Sequence, residues 1–131
     1  MPEMTKPRPK FLDLSVIKLP IAGFVSILHR VSGAGLFLML PLLIWVLELS
    51  LGTAPGSAER FHAYTGNILV KLVLFGLCWA YLHHFCAGMR FLLLDLHIGI
   101  EKQASRTSAI AVLAVSLSLT GLVALKFLGV F

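Results

Sequence analysis

The sequence predicts an all-α membrane protein with three transmembrane helices, and three observations carry that prediction. Of 131 residues, 58% are hydrophobic and only 13% charged. That composition is too apolar for a soluble domain, and the chain is too short for more than a few membrane spans. The apolar residues gather in long runs, at about residues 21–51, 68–95 and 109–130, each sufficient to cross a hydrocarbon layer. Lys and Arg lie mainly beside those runs, as topology signals do. The 11 basic residues outnumber 6 acidic ones, but they are not interleaved with exposed aromatics, so the chain does not read as a nucleic-acid binder.

Taken in order, residues 1–19 form a tail and an interfacial segment, and residues 20–131 a membrane anchor domain. Met1 to Lys10 holds three prolines, two lysines, one arginine and one glutamate, a mixture that cannot bury enough apolar surface to fold alone. Phe11 to Leu19, with Asp13 and Lys18, suits a segment lying at the interface. No cleavable signal peptide is visible, so the first membrane helix is expected to direct insertion. Pro20, with its preset φ, opens that helix. Pro41 within it removes a backbone donor and frees the carbonyl of Phe37, which predicts a modest kink.

The connection Gly52 to Asn67 starts with Pro55 and two glycines, then offers Ser57 as a cap for a short amphipathic turn through Glu59, Arg60, Phe61 and Tyr64. His62 reads there as an interfacial histidine. The second run ends near Asp95 and is followed by a polar connection, Leu96 to Ser108, in which Ser105 or Ser108 can cap the third helix. Ser116, Ser118 and Thr120 can bond back to their own helix or across to a neighbour, and Lys126 can snorkel. Cys78 and Cys86 share one helix about 12 Å apart, beyond disulfide reach. Lys6, Arg8, Lys10, Lys18, Arg30, Arg90, Lys102 and Arg106 fall on one side, and Arg60, Lys71 and Lys126 on the other. The amino terminus is therefore expected to face the cytoplasm or matrix.

Two constellations carry chemistry. The second run holds His83 and His84 near its middle, and ionisable groups at that depth usually face a bundle interior, a cofactor or a water path. Positions four apart share a helix face, so Gly76, Ala80, His84 and Gly88 form one stripe of an imidazole among small residues. Small residues admit either a close helix or a porphyrin, and His84 is read as a haem ligand. His83 points about 100° away and is read as a packing or interfacial residue. His97, beyond Asp95, lies in the polar connection.

The second constellation is Ser26, His29 and Arg30, with Gly33, on the first helix. Ser26, Arg30 and Gly33 fall within about 60° of one another and His29 sits at the edge of that sector. With Arg30 and Arg90 level on antiparallel helices, His84 lies about 9 Å deeper, so propionates of a haem turned toward the basic end would meet His29 and Arg30. The alternative is that Arg30 merely snorkels to lipid phosphate and His29 sits in the headgroup layer.

The run Arg8, Pro9, Leu12, Asp13, Leu14, then Ser26, Ile27, His29, Arg30, Ser32, Gly33, then His84, Gly88, Arg90 and Asp95 closely resembles the larger cytochrome b membrane-anchor subunit of bacterial succinate dehydrogenase, respiratory complex II. The resemblance covers nearly the whole chain. It implies that His84 is the axial ligand of haem b, that His29 and Arg30 meet its propionates, and that Ser26 and Arg30 belong to a ubiquinone site. It also implies half of a heterodimeric haem-binding bundle in a bacterial inner membrane, with partners in a flavoprotein subunit and an iron-sulfur subunit. Members of the group often have a histidine directly after the arginine, where this chain has Phe91.

A six-coordinate haem needs a second axial ligand, and one well-placed histidine points to another chain, by resemblance the smaller hydrophobic anchor. His29 as an internal second ligand is the alternative. No dicarboxylate site, flavin fingerprint or cysteine cluster is present, so the chain is not expected to be an enzyme on its own. A fumarate reductase anchor working in the quinol-oxidising direction and a haem-free structural adaptor are the rival readings.

Overall fold

The computed structural model describes residues 18–127. The tail, most of the interfacial segment and the last four residues of the chain lie outside the described residues. Pro20 caps the first helix from outside, in an extended conformation with φ −65° and ψ 151°, and its carbonyl accepts from Phe24 N at 3.1 Å. Helix α1 then runs over Ile21–Leu38 and α2 over Leu40–Leu51. The break at Met39 has a simple cause: Pro41 cannot donate to the carbonyl of Phe37, so the hydrogen-bond ladder loses a rung. Bonds on either side, Met39 N to Gly35 O and Leu43 N to Met39 O, both 3.0 Å, keep the two helices in nearly continuous succession.

Gly52 ends α2 in the left-handed region at φ 65°, which costs glycine nothing. Helix α3, Ser57–Gly66, follows Gly56, also left-handed. Ser57 does not cap it: its buried hydroxyl accepts from Ala54 N at 3.2 Å and so ties down the preceding turn. A single residue, Asn67, joins α3 to α4, Ile68–Asp95, and its side chain caps α4 by accepting from Leu69 N at 2.8 Å. Helix α5 covers Lys102–Phe127 and therefore begins inside the stretch expected to be a polar connection. Glu101, Lys102, Gln103 and Arg106 are all exposed. Hydropathy marks where a helix enters lipid, whereas a helix can continue for two turns into the polar layer beyond.

Helices α1, α4 and α5 pack together, and their shared core is Val25, Ala87, Ala109 and Val112, flanked by Ile21, Ala22, Cys86, Phe91 and Leu113. The alanines let backbones approach closely, which is how helices associate in lipid. The core also takes in Ser116 and Thr120, whose hydroxyls donate to the carbonyls of Leu113 and Ser116 at 3.2 and 2.7 Å. Helix α2 packs on α3, pinned by an edge-on contact of Trp45 and Tyr64 with centroids 4.8 Å apart. Three of the helices are long and apolar enough to cross a membrane, namely α1, α4 and α5.

Candidate functional site

The site forms where α1 crosses α4, and the crossing depends on a missing side chain. A Cβ on Gly33 would stand 2.6 Å from Cε1 and 3.1 Å from Nδ1 of His84, so only glycine lets the imidazole lie against α1. With that approach His84 Nδ1 comes within 3.0 Å of the backbone carbonyl of His29 and 3.4 Å of Ser32 Oγ. The Ser32 hydroxyl itself donates to the same carbonyl at 3.0 Å. A carbonyl can only accept, so the His84 proton sits on Nδ1 and the Nε2 lone pair is left available. Among the described residues Nε2 makes no hydrogen bond.

The His29 ring lies flat on that of His84, centroids 4.2 Å apart and planes within 7°. On its other side it meets Phe91 at 5.0 Å, and its Nε2 lies 3.6 Å from where a Gly88 Cβ would be. Gly88 and Phe91 thus form a seat on α4 for a side chain of α1. Phe91 also lies under the Arg90 guanidinium, 5.4 Å from centroid to Cζ, a cation–π distance.

Ser26 and Arg30, which the sequence places within about 60° of Gly33, lie beside this contact and pair with each other. His29, Ser32 and Gly33 turn to α4, whereas Ser26 and Arg30 pair with each other on the neighbouring flank. Arg30 donates from Nε to the Ser26 carbonyl and from a terminal nitrogen to Ser26 Oγ, each 3.3 Å. The helix rotation between positions 29 and 30 is 100°, enough to separate two adjacent side chains once a partner helix fixes one of them. Arg30 remains exposed and Ser26 half-buried.

Arg90 was read from sequence as a flanking charge. Its side chain is buried and donates to Ser108 Oγ at 2.9 Å and to Ser105 Oγ and O at 2.9 and 3.2 Å. Those serines therefore fasten α4 to α5 instead of capping a helix, since α5 has already begun at Lys102. His83 is fully buried in the three-helix core, beside the backbone of Val25 and stacked on Trp79 at 5.5 Å, with neither ring nitrogen hydrogen-bonded. His62 and His97 are exposed and remote in the fold from His84.

Among the described residues no three His, Cys, Asp or Glu side chains gather as a metal cage. A single imidazole with a fixed tautomer suits a metal that brings its other ligands, as iron in a porphyrin does. The residues present fit such a group: His84 has its Nδ1–H anchored and its Nε2 open, and it lies against glycine where α1 meets α4. Ser32 and the His29 carbonyl, which create this state, carry no sign of that role in the sequence, because it arises only from the crossing.

Residues 4–123 match the family model described as the succinate dehydrogenase/fumarate reductase transmembrane subunit. Proteins named succinate dehydrogenase cytochrome b556 subunit are similar along nearly their whole length. That of Rickettsia felis is 31% identical over 118 residues, 90% of this chain and 91% of its own. That of Coxiella burnetii is 34% identical over 113 residues, 86% and 90%. That of Paracoccus denitrificans is 32% identical over 120 residues, 92% of both chains.

Proposed function

The chain belongs to the succinate dehydrogenase/fumarate reductase transmembrane subunit family, and from that membership we propose that it is the larger membrane anchor of a bacterial succinate:ubiquinone oxidoreductase, binding haem b through His84 and helping to form the ubiquinone-reduction site. The family places it among membrane subunits of the complex and not among those that oxidise the dicarboxylate. The observation that carries the haem reading is the His84 imidazole with Nδ1 bound to the His29 carbonyl at 3.0 Å and Nε2 open. A histidine ligand commonly donates its second nitrogen to a backbone carbonyl, which fixes the tautomer and raises its basicity.

Haem b, when bound, supplies a one-electron redox centre between the lipid-embedded helices. The chain's own residues hold and orient it: His84 through Nε2, Gly33 and Gly88 by leaving room, and His29 and Arg30 as donors to propionate carboxylates. Charge-assisted bonds of that kind are among the stronger ones and offset the burial of negative charge. Ser26 and Arg30 are assigned to the quinone. Ser26 Oγ already accepts from Arg30, so its own proton is free to be donated to a quinone carbonyl, and the guanidinium makes that hydroxyl a better donor. Arg30 then stabilises the charge that develops as electrons arrive from the iron-sulfur partner, as preorganised donors do.

His29 lies flat on His84, with centroids 4.2 Å apart, and so would not hold the same iron together with it in this arrangement; a further ligand would come from another chain. The second ligand is assigned to the smaller hydrophobic anchor, and the complex to the inner membrane with the His29 end toward the cytoplasm, where the flavin and iron-sulfur subunits dock. The test is the reduced-minus-oxidised visible spectrum of the purified complex. His84→Ala removes the b-type bands and His83→Leu, which keeps core volume, retains them; full haem content in His84→Ala overturns the assignment.

A further inference from the structure

At the opposite end of the helices from His29, the break at Met39 and the lean of α2 onto α3 open a cavity of about 670 Å³ between α2, α3, α4 and α5. Its depth is apolar, formed by Val46, Leu74, Phe75, Cys78, Val123 and Ala124. Its polar lining residues are Lys71, in the first turn of α4, and His62 and Thr65 of α3, the helix that leads directly into α4. Among the described residues, Lys71 is the one charged side chain in its lining. From Lys71 the wall continues to Cys78, about 10 Å along the axis into the bilayer.

We infer that this cavity holds an anionic phospholipid, its phosphate at Lys71 and His62 and an acyl chain lying along α4 toward Cys78. Depth and charge select that occupant. The polar lining lies at headgroup depth, because α3 is the short amphipathic link between two membrane helices and Lys71 is one turn inside α4. A lysine at that level attracts an anionic head by about 1 kcal/mol. A neutral quinone leaves the lysine charge uncompensated. Lys71 lies about 20 Å along α4 from His84, so the lipid is not part of the haem and quinone constellation.

The complex reconstituted in nanodiscs of equal phosphatidylglycerol and phosphatidylethanolamine, with matched acyl chains, and released for native mass spectrometry decides the matter by the lipid that stays bound to this chain. Wild type is expected to keep phosphatidylglycerol in preference to phosphatidylethanolamine. Lys71→Gln lowers that retention about fivefold, the worth of one lysine at a membrane surface, and Lys71→Arg restores it. Ala124→Phe fills the cavity and displaces lipid with the charge intact. Equal retention in wild type and Lys71→Gln, phosphatidylethanolamine held as firmly as phosphatidylglycerol, undiminished lipid in Ala124→Phe, or a quinone in place of a phospholipid would each overturn the inference.

Discussion

The distance from His84 to the backbone of α1 is set at Gly33, so the smallest change there has a defined consequence. A methyl group at that position would press on Cε1 at 2.6 Å, closer than real carbon contacts come, and the ring, clamped between α1 and His29, has little freedom to withdraw. Gly33→Ala is expected to turn His84 off its carbonyl and lower the haem-to-protein ratio of the purified complex. Gly35→Ala, whose new methyl meets nothing within 4 Å, leaves the ratio unchanged. On the neighbouring flank, Ser26→Ala and Arg30→Ala should slow electron transfer to ubiquinone while activity with an artificial dye persists; parallel loss of both activities would point to failed assembly instead. Depth and small neighbours single out His84 in the sequence, because both are properties of one helix. The bond from Nδ1 to the His29 carbonyl was not legible, since it exists only once α1 and α4 cross, and helical periodicity contains no information about the partner's rotation.

Among the elements, the α4–α5 pairing depends most on one side chain. Arg90 is 6% exposed and spends its donors on Ser105 and Ser108. Leaving a buried charged donor without its acceptors costs more than the bond itself gains. Ser105→Ala with Ser108→Ala should therefore destabilise the folded chain by about 3 kcal/mol, at the upper end of the penalty for an unsatisfied buried group, read as a shift in reversible unfolding in detergent or bicelles. Arg90→Lys should not rescue it, because an ammonium cannot span both hydroxyls with the planar fork. The three-helix fold class and the bend caused by Pro41 could be read from the sequence because each follows from composition or from one residue's chemistry. The start of α5 at Lys102 could not, since its first two turns are polar and meet Arg90, on another helix, only in the fold.

For the whole molecule the question is what surrounds it. Only 6% of the most apolar stretch of α4 is buried within the chain, and Tyr81, Phe85, Met89 and Leu92 all remain exposed. Such a surface is at home in lipid, but lipid supplies no ligand to an iron. Each histidine of the described residues is accounted for: His83 is enclosed in the core, His29 lies parallel to His84, and His62 and His97 belong to connections outside the crossing. The monomeric chain, purified alone and loaded with haem, is accordingly expected to show a high-spin spectrum with one axial imidazole. Co-expression with a second hydrophobic anchor should convert it to a low-spin, six-coordinate one, as judged by electron paramagnetic resonance of the oxidised form. A low-spin signal from the monomer would mean that His29 swings away from His84 to the far side of the iron, and then the stacked pair would be a resting arrangement that haem binding takes apart.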